Sequence, residues 1–373
     1  MTERIPETEM TDLAHLGYTG RVEALFDTLA TDGLEPARIV RVDRGMPLAA
    51  TAEGVKRVEP ATHLIKTADT ADSRVVVGDW VALARPETHE MPIIEVILPR
   101  SGTFSRKEPG AETGQQVMIA NIDVVLVVQS LSGRGVNERR LERELVVAWE
   151  SGARPVVVLT KSDLVDDAAA IADSVREIAL GVDVLVESAL TGEGIDDVRA
   201  CVPPGVTAAL LGASGVGKST LVNRLVGEEV LETQETRNSD DKGRHTTVAR
   251  EMFLLPGGGV IIDTPGMRGL ALWDAEEGMA AAFPDIDLLA QTCRFGDCKH
   301  VSEPGCAVLE AVESGTLPAR RLDSWRRLRD ELDNLAVRQD EHAWAQREKR
   351  EGKVLGKAIK QFYKGSDKRR GRD

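Results

Sequence analysis

Short runs rich in valine and isoleucine, separated by glycine, proline and aspartate, fill residues 1 to about 110: "ARIVRVD", "LAATAEGVKRV", "RVVVGDWVALA" and "PIIEVILPRSGTFSRK". Brief apolar alternation between turn formers predicts the strands of a small antiparallel barrel or sandwich, and we take the barrel. From about Asn121 the pattern changes. The unbroken apolar run "DVVLVVQS" leads into the amphipathic stretch "NERRLERELVVAWESG". Next come "PVVVLT", a helical segment near "DDAAAIADSVREIAL", and the runs "DVLVES", "TAALLG" and "GGVIIDTPG". Continuous apolar strands alternating with helices predict a parallel sheet covered on both faces. After Trp273 the pattern turns helical around a cysteine cluster and ends in charged helices, "ARRLDSWRRLRDELDNLAVRQDEHAWAQREKR" having apolar residues near helical spacing.

Chemistry first enters at Gly212-Ala213-Ser214-Gly215-Val216-Gly217-Lys218-Ser219-Thr220, which fits the G-x4-G-K-[ST] pattern between a strand and a helix. Glycines there let backbone N–H groups turn inward on phosphates, Lys218 reaches the outer phosphates, and Ser219 offers a hydroxyl to Mg²⁺. Downstream, Asp263-Thr264-Pro265-Gly266 closes the run "GVIID". A strand end there would put the Asp263 carboxylate near the Mg²⁺ and the Gly266 N–H near the γ-phosphate. Between the two lies the polar, aperiodic "RNSDDKGRHTTVAR", a loop in which one hydroxyl could complete the Mg²⁺ shell. Thr247 is the first candidate and Thr246 the second; a plain surface loop is the alternative.

The stretch Thr160-Lys161-Ser162-Asp163 ends the strand "PVVVLT". A carboxylate at Asp163 would accept from the ring N–H and exocyclic amine of guanine, donors that adenine lacks on that edge, while the stem of Lys161 lies along the base. Alone, the tetrapeptide reads equally as a polar turn. The next strand ends "VESAL", where the Ser188-Ala189 backbone could meet the base from the other side. The base-reading half and the phosphate half are thus both complete, but in reversed order along the chain. Joining the ends of a compact domain and opening new ones elsewhere produces such an order without disturbing the site.

Composition adds to this picture. A chain of 373 residues, 42% hydrophobic, supports a sizeable core divided into two or three domains. The N-terminus "MTERIPETEMTDLAHLG" is acidic and lacks an apolar core, and no run of about eighteen apolar residues occurs, so we expect neither signal peptide nor membrane span, and a cytoplasmic location. Three of the four cysteines gather as Cys293-x4-Cys298-x-His300-x5-Cys306, four soft ligands suited to one closed tetrahedral Zn²⁺ site, a reduced thiol cluster being the alternative. Cys201 reads as a buried thiol. The net charge of −14 argues against nucleic acid, yet residues 337–373 hold twelve Lys or Arg against six Asp or Glu. Lys353, Lys357, Lys360 and Lys364 fall at helical spacing, either a phosphate-contacting stripe or a solvated tail.

Together, the barrel, Thr160 to Asp163, Gly212 to Thr220, Gly243-Arg244-His245-Thr246-Thr247, Asp263 to Gly266 and the Cys/His spacing resemble the RsgA (YjeQ) family of circularly permuted GTPases, over nearly the whole chain. The resemblance implies an N-terminal OB-type β-barrel (1–110), an α/β circularly permuted P-loop GTPase domain (111–275) and a C-terminal helical zinc-binding domain with a basic tail (276–373). It further implies GTP hydrolysis stimulated by the small ribosomal subunit, a role in late maturation of that subunit, and binding to its rRNA. A monomer is expected. Met267 follows Gly266, where Ras-like GTPases place a water-orienting glutamine; a thioether cannot orient water, so intrinsic hydrolysis should be slow. His245 is a candidate to position that water, or else a structural neighbour of the phosphates. Against the resemblance, residues 1–110 hold thirteen basic and eighteen acidic residues, and Tyr18, Phe26, Trp80 and Phe104 are their only aromatics, few for a base-stacking face. Two rivals stay open: an ATPase or kinase, and a non-catalytic rRNA-binding scaffold.

Overall fold

The computed structural model describes residues 10–30, 33–43, 45–67, 74–87, 89–107, 115–133, 135–231, 250–263, 275–335 and 337. After helix α1 (Gly20–Leu29), strands β1 (Glu35–Asp43), β2 (Met46–Thr51), β3 (Gly54–Arg57) and β4 (Glu59–Pro60), helix α2 (Thr62–Thr67), and strands β5 (Trp80–Ala84) and β6 (Ile93–Ile97) follow in order. β2 pairs with β1 and β3, β5 with β1 and β6, all antiparallel, and β6 pairs with β4 in parallel. Only Val58 separates β3 from β4, so the six strands curl into a small barrel-like unit. Its interior is Ala37, Ile39, Ala49, Val58, Val81, Leu83 and Ile94, all fully buried. On the other side of β1, the buried guanidinium of Arg38 donates to the carbonyls of Leu16 and Asn121 and lies 5.2 Å from the Trp80 ring, tying the barrel to the chain that follows it.

Two of the apolar runs each hold two strands. "LAATAEGVKRV" turns at Ala52-Glu53 between β2 and β3, where Gly54 takes a positive φ of 121°. "PIIEVILPRSGTFSRK" breaks after β6 and resumes as β7 (Thr103–Lys107), which forms an antiparallel pair with β8 (Gln115–Ala120) across residue 110.

The second unit runs β9 (Val124–Ser130), α3 (Glu138–Glu150), β10 (Arg154–Thr160), α4 (Ala168–Arg176), β11 (Asp183–Val186), α5 (Ile195–Ala200), β12 (Thr207–Leu211), α6 (Lys218–Val226), β13 (Arg250–Leu254) and β14 (Val260–Asp263). The strands lie in the order β11-β10-β9-β12-β14-β13, parallel except for β13. Buried residues cover both faces, α3 and α4 on one side and α5 and α6 on the other. β13 was not expected. It buries only Met252 and Phe253, and it pairs with β1 at Arg41↔Glu251 and Val42↔Arg250, making barrel and α/β unit one continuous sheet.

Beyond these come α7 (Glu276–Ala282), α8 (Pro284–Ala290), α9 (Ala307–Glu313) and a helix over residues 319–335. α7 packs on α3, where Gly278 N donates to Glu150 Oε2 at 2.9 Å. The last helix is ion-paired to α3 through Arg327–Glu142 at 3.2 Å and Arg143–Glu331 at 3.1 Å. Arg321 is buried, bonded to Asp285 and to the carbonyls of Ile178 and Ala282, with its guanidinium 4.2 Å from the Phe283 ring. Cys201, expected buried, is half-exposed at the end of α5, its thiol reaching Asp197 O. No described helix is long and apolar enough to cross a membrane.

Candidate nucleotide site and metal centre

The phosphate loop forms where β12 runs out. Gly212 has φ +151°, and a Cβ there would lie 2.4 Å from the Val128 carbonyl oxygen of the neighbouring strand, so only glycine fits. Gly217, at φ +104°, turns the chain into α6. The buried Val216 anchors the loop, while Ser214, Gly215 and Thr220 are exposed and Ala213 and Ser219 partly so. Lys218 Nζ donates to the Gly212 and Ala213 carbonyls, each at 2.7 Å, which holds its ammonium over the loop. A helix N-terminus with an ammonium arching across it is a ready anion site.

Thr160 to Asp163 lies directly against this loop. Thr160 Oγ1 donates to Val216 O at 2.5 Å and sits 3.3 Å from Gln129 O. Lys161, in the left-handed region at φ 62°, donates from Nζ to Gly215 O at 2.9 Å, joining residues 54 apart in sequence. The Ser162 N–H donates to Glu187 O at 3.1 Å, and Ser188 Oγ donates to Asp163 Oδ1 at 2.5 Å. That serine also accepts from Thr191 N at 3.2 Å, which orders the turn carrying Ala189. Sequence reasoning missed Glu187. It is 1% exposed, and burial, then the Asp163 charge, raise its carboxyl to about 7. Below that pH it is neutral and adds no charge beside Asp163. The only signal in the sequence is an acidic residue at the end of an apolar strand.

β14 runs parallel to β12 with Ala209 opposite Ile262, so Asp263 ends its strand beside the start of the phosphate loop. Ser219 supplies a hydroxyl on the first turn of α6. One carboxylate and one hydroxyl at adjacent element ends are hard oxygen donors of the kind Mg²⁺ takes. His245, Thr246, Thr247, Gly266 and Met267, and the basic tail, lie outside the described residues.

The four expected metal ligands meet. The donor atoms of Cys293, Cys298, His300 and Cys306 all lie within 4.8 Å of one another. Sγ of Cys293 and Cys306 are 3.9 Å apart, and His300 Nδ1 is 3.6 and 3.3 Å from them. A tetrahedron with Zn–S bonds of about 2.3 Å has edges of about 3.8 Å, so the donors fit one such ion. Burial lowers the His300 pKa, keeping the imidazole neutral as a ligand must be. His300 takes the left-handed φ of 56°, its carbonyl accepts from Arg326, and its ring centroid lies 5.2 Å from that of Trp325. Glu303 gathers the N–H groups of Lys299, Val301 and Ser302 at 2.9, 2.8 and 3.0 Å, which hold its carboxyl down to about 2 and fix the ligand loop.

A sequence model of the RsgA GTPase family matches residues 97–273. The small ribosomal subunit biogenesis GTPase RsgA of Streptomyces coelicolor is 43% identical over 371 residues, 98% of this chain and 99% of the relative. Among solved structures, YjeQ from Thermotoga maritima superposes with a TM-score of 0.62 at 27% identity, covering 80% of this chain and 98% of that one. The circularly permuted GTPase YloQ superposes at 0.59 with 23% identity, covering 82% and 97%, a likeness of fold. With its strand order and a relative 43% identical over 98% of its length, this chain belongs to the RsgA GTPase family, enzymes that hydrolyse GTP.

Proposed function

We propose that the chain hydrolyses GTP to GDP and phosphate in late maturation of the small ribosomal subunit, that the subunit stimulates turnover, and that the chain binds its rRNA. What supports the nucleotide reading is the contact of Thr160 and Lys161 with the carbonyls of Val216 and Gly215, which joins the end of β10 to the loop after β12. Gly212 to Thr220 hold the phosphates, and Thr160, Lys161, Ser162, Asp163, Ser188 and Ala189 hold the base. Mg²⁺, when bound, offsets charge on the phosphates, held by Ser219, Asp263 and Thr247. Lys218, Thr247 and the Gly266 N–H stabilise charge as water attacks the γ-phosphorus, and His245 positions that water. With Met267 in the glutamine's place, turnover is slow until the subunit completes the site.

The ribosomal partner is proposed on the match to the Streptomyces coelicolor relative. Of the aromatics in residues 1–110, Trp80 and Phe104 are each 2% exposed and cannot stack on bases, which favours rRNA contact through loops and the basic tail. The division at 1–110, 111–275 and 276–373, a structural Zn²⁺ on the four Cys/His ligands, a monomeric state and a cytoplasmic location belong to the same reading.

Asp163→Asn tests the base assignment. An amide keeps one acceptor and gains a donor, so it loses a guanine N–H but matches the carbonyl that xanthine carries in place of the amine. GDP affinity should fall about a hundredfold or more while XDP affinity rises. Equal GDP affinity in the variant, measured by calorimetry, would remove Asp163 from the site.

A further inference from the structure

Behind the phosphate loop the end of β9 meets α3. Gln129 is 3% exposed, and its Nε2 donates to Glu144 Oε2 at 2.5 Å. The Gln129 carbonyl oxygen lies 3.3 Å from Thr160 Oγ1, the hydroxyl that donates to Val216 in the loop. Val127 pairs with Leu211 and the Val128 carbonyl fills the space beside Gly212, so the next residue, Gln129, runs alongside the loop's opening. Glu144 therefore stands one side chain behind the phosphate site.

The charges that act on Glu144 are cationic: Arg140 and Arg143 on its own helix and Lys218 from α6. Arg143 is shared with Glu331 of the last helix. α7, packed on α3, brings Glu276, paired with Arg329 at 2.6 Å, and Glu277. From β9 the neighbour is neutral Gln129, and beyond the end of β10 Lys161 is bonded to Gly215 O. Burial outweighs these cations and the Gln129 hydrogen bond and raises the carboxyl to about 7. Part of what favours its ionised form is the Lys218 charge.

We propose that Glu144 is a proton-linked positioning residue of the nucleotide site, its carboxyl taking up a proton from solvent as nucleotide phosphates arrive at Lys218. The inference rests on the reading that Lys218 holds those phosphates. Their negative charge cancels the ammonium's field and adds repulsion, so an ionised Glu144 loses support. A neutral carboxyl still offers Gln129 an acceptor oxygen, so the strut between α3 and β9 survives protonation. The sign follows. The bound state holds the proton more tightly than the free state, so binding is strongest below the free-state value and weakens as pH rises through it.

The experiment is calorimetry of GDP with Mg²⁺ on the full chain, wild type against Glu144→Gln, from pH 6 to 8, in buffers of different ionisation enthalpy. The nucleotide's terminal phosphate also titrates in this range, and the variant, sharing that contribution, is the reference. If binding raises the carboxyl by about one unit, wild type loses about fivefold more affinity than the variant between pH 6 and 8. It also takes up a fraction of a proton that the variant does not. Parallel pH profiles with equal proton counts would overturn the proposal, and should the variant not fold, absence of proton uptake by wild type near pH 7.5 would overturn it equally. Failure of wild type to bind GDP at any pH would instead overturn the nucleotide reading, and this inference with it.

Discussion

Lys218→Ala is expected to abolish GTP binding at micromolar protein while leaving the fold intact. The ammonium is held by two loop carbonyls at 2.7 Å, over the helix N-terminus where phosphates would lie. Removing one partner of a charged, partly buried contact costs about 3–5 kcal/mol, roughly a hundredfold to several thousandfold in affinity. Stability should hardly change, because the lost hydrogen bonds are local and alanine suits the first turn of α6. Equilibrium binding of a fluorescent GDP, with a thermal melt as control, checks both halves. Unchanged affinity would remove Lys218 from the phosphate site.

With a Zn²⁺ on Cys293, Cys298, His300 and Cys306, as proposed, its loss is expected to unfold the C-terminal helical unit and spare the α/β sheet. Apparent zinc-binding energies at such sites are about 10–16 kcal/mol near neutral pH, more than a small helical unit supplies by packing. Cys306 is 2% exposed and opens α9, and the His300 carbonyl is held by Arg326 of the last helix, so the cluster ties α9 to that helix. Chelation or Cys306→Ser should release one zinc per chain and cut amide exchange protection across residues 275–335. Strands β9, β10 and β12 should keep theirs, since their cores are built from α3 to α6. A variant that lost no metal and no protection would contradict this.

Much of the α/β unit was legible in the sequence because its strands are covered on both faces, and burial on both sides writes an unbroken apolar run such as "DVVLVVQS". The phosphate loop was legible because its glycines answer a steric demand, seen at Gly212. The guanine motif was only half legible. Four polar residues at a strand end spell a turn as readily as a site, and the contact of Thr160 and Lys161 with a loop distant in sequence, which supports the proposed site, is written in no local pattern. β13 escaped because a strand with two buried residues leaves no period to read, and with it the joining of barrel and GTPase into one sheet. Glu144 and Glu187 escaped for another reason. A glutamate reads as solvated until its surroundings are known, and both owe their raised pKa first to burial.

The proposed activity is that of a GTPase whose turnover depends on the small ribosomal subunit. Phosphate release from GTP and from ATP, with and without purified small subunits, tests it most directly. Slow release from GTP alone, a steep rise when small subunits are added, and negligible release from ATP throughout are expected. Equal turnover of ATP, or GTP turnover that small subunits leave unchanged, would contradict it.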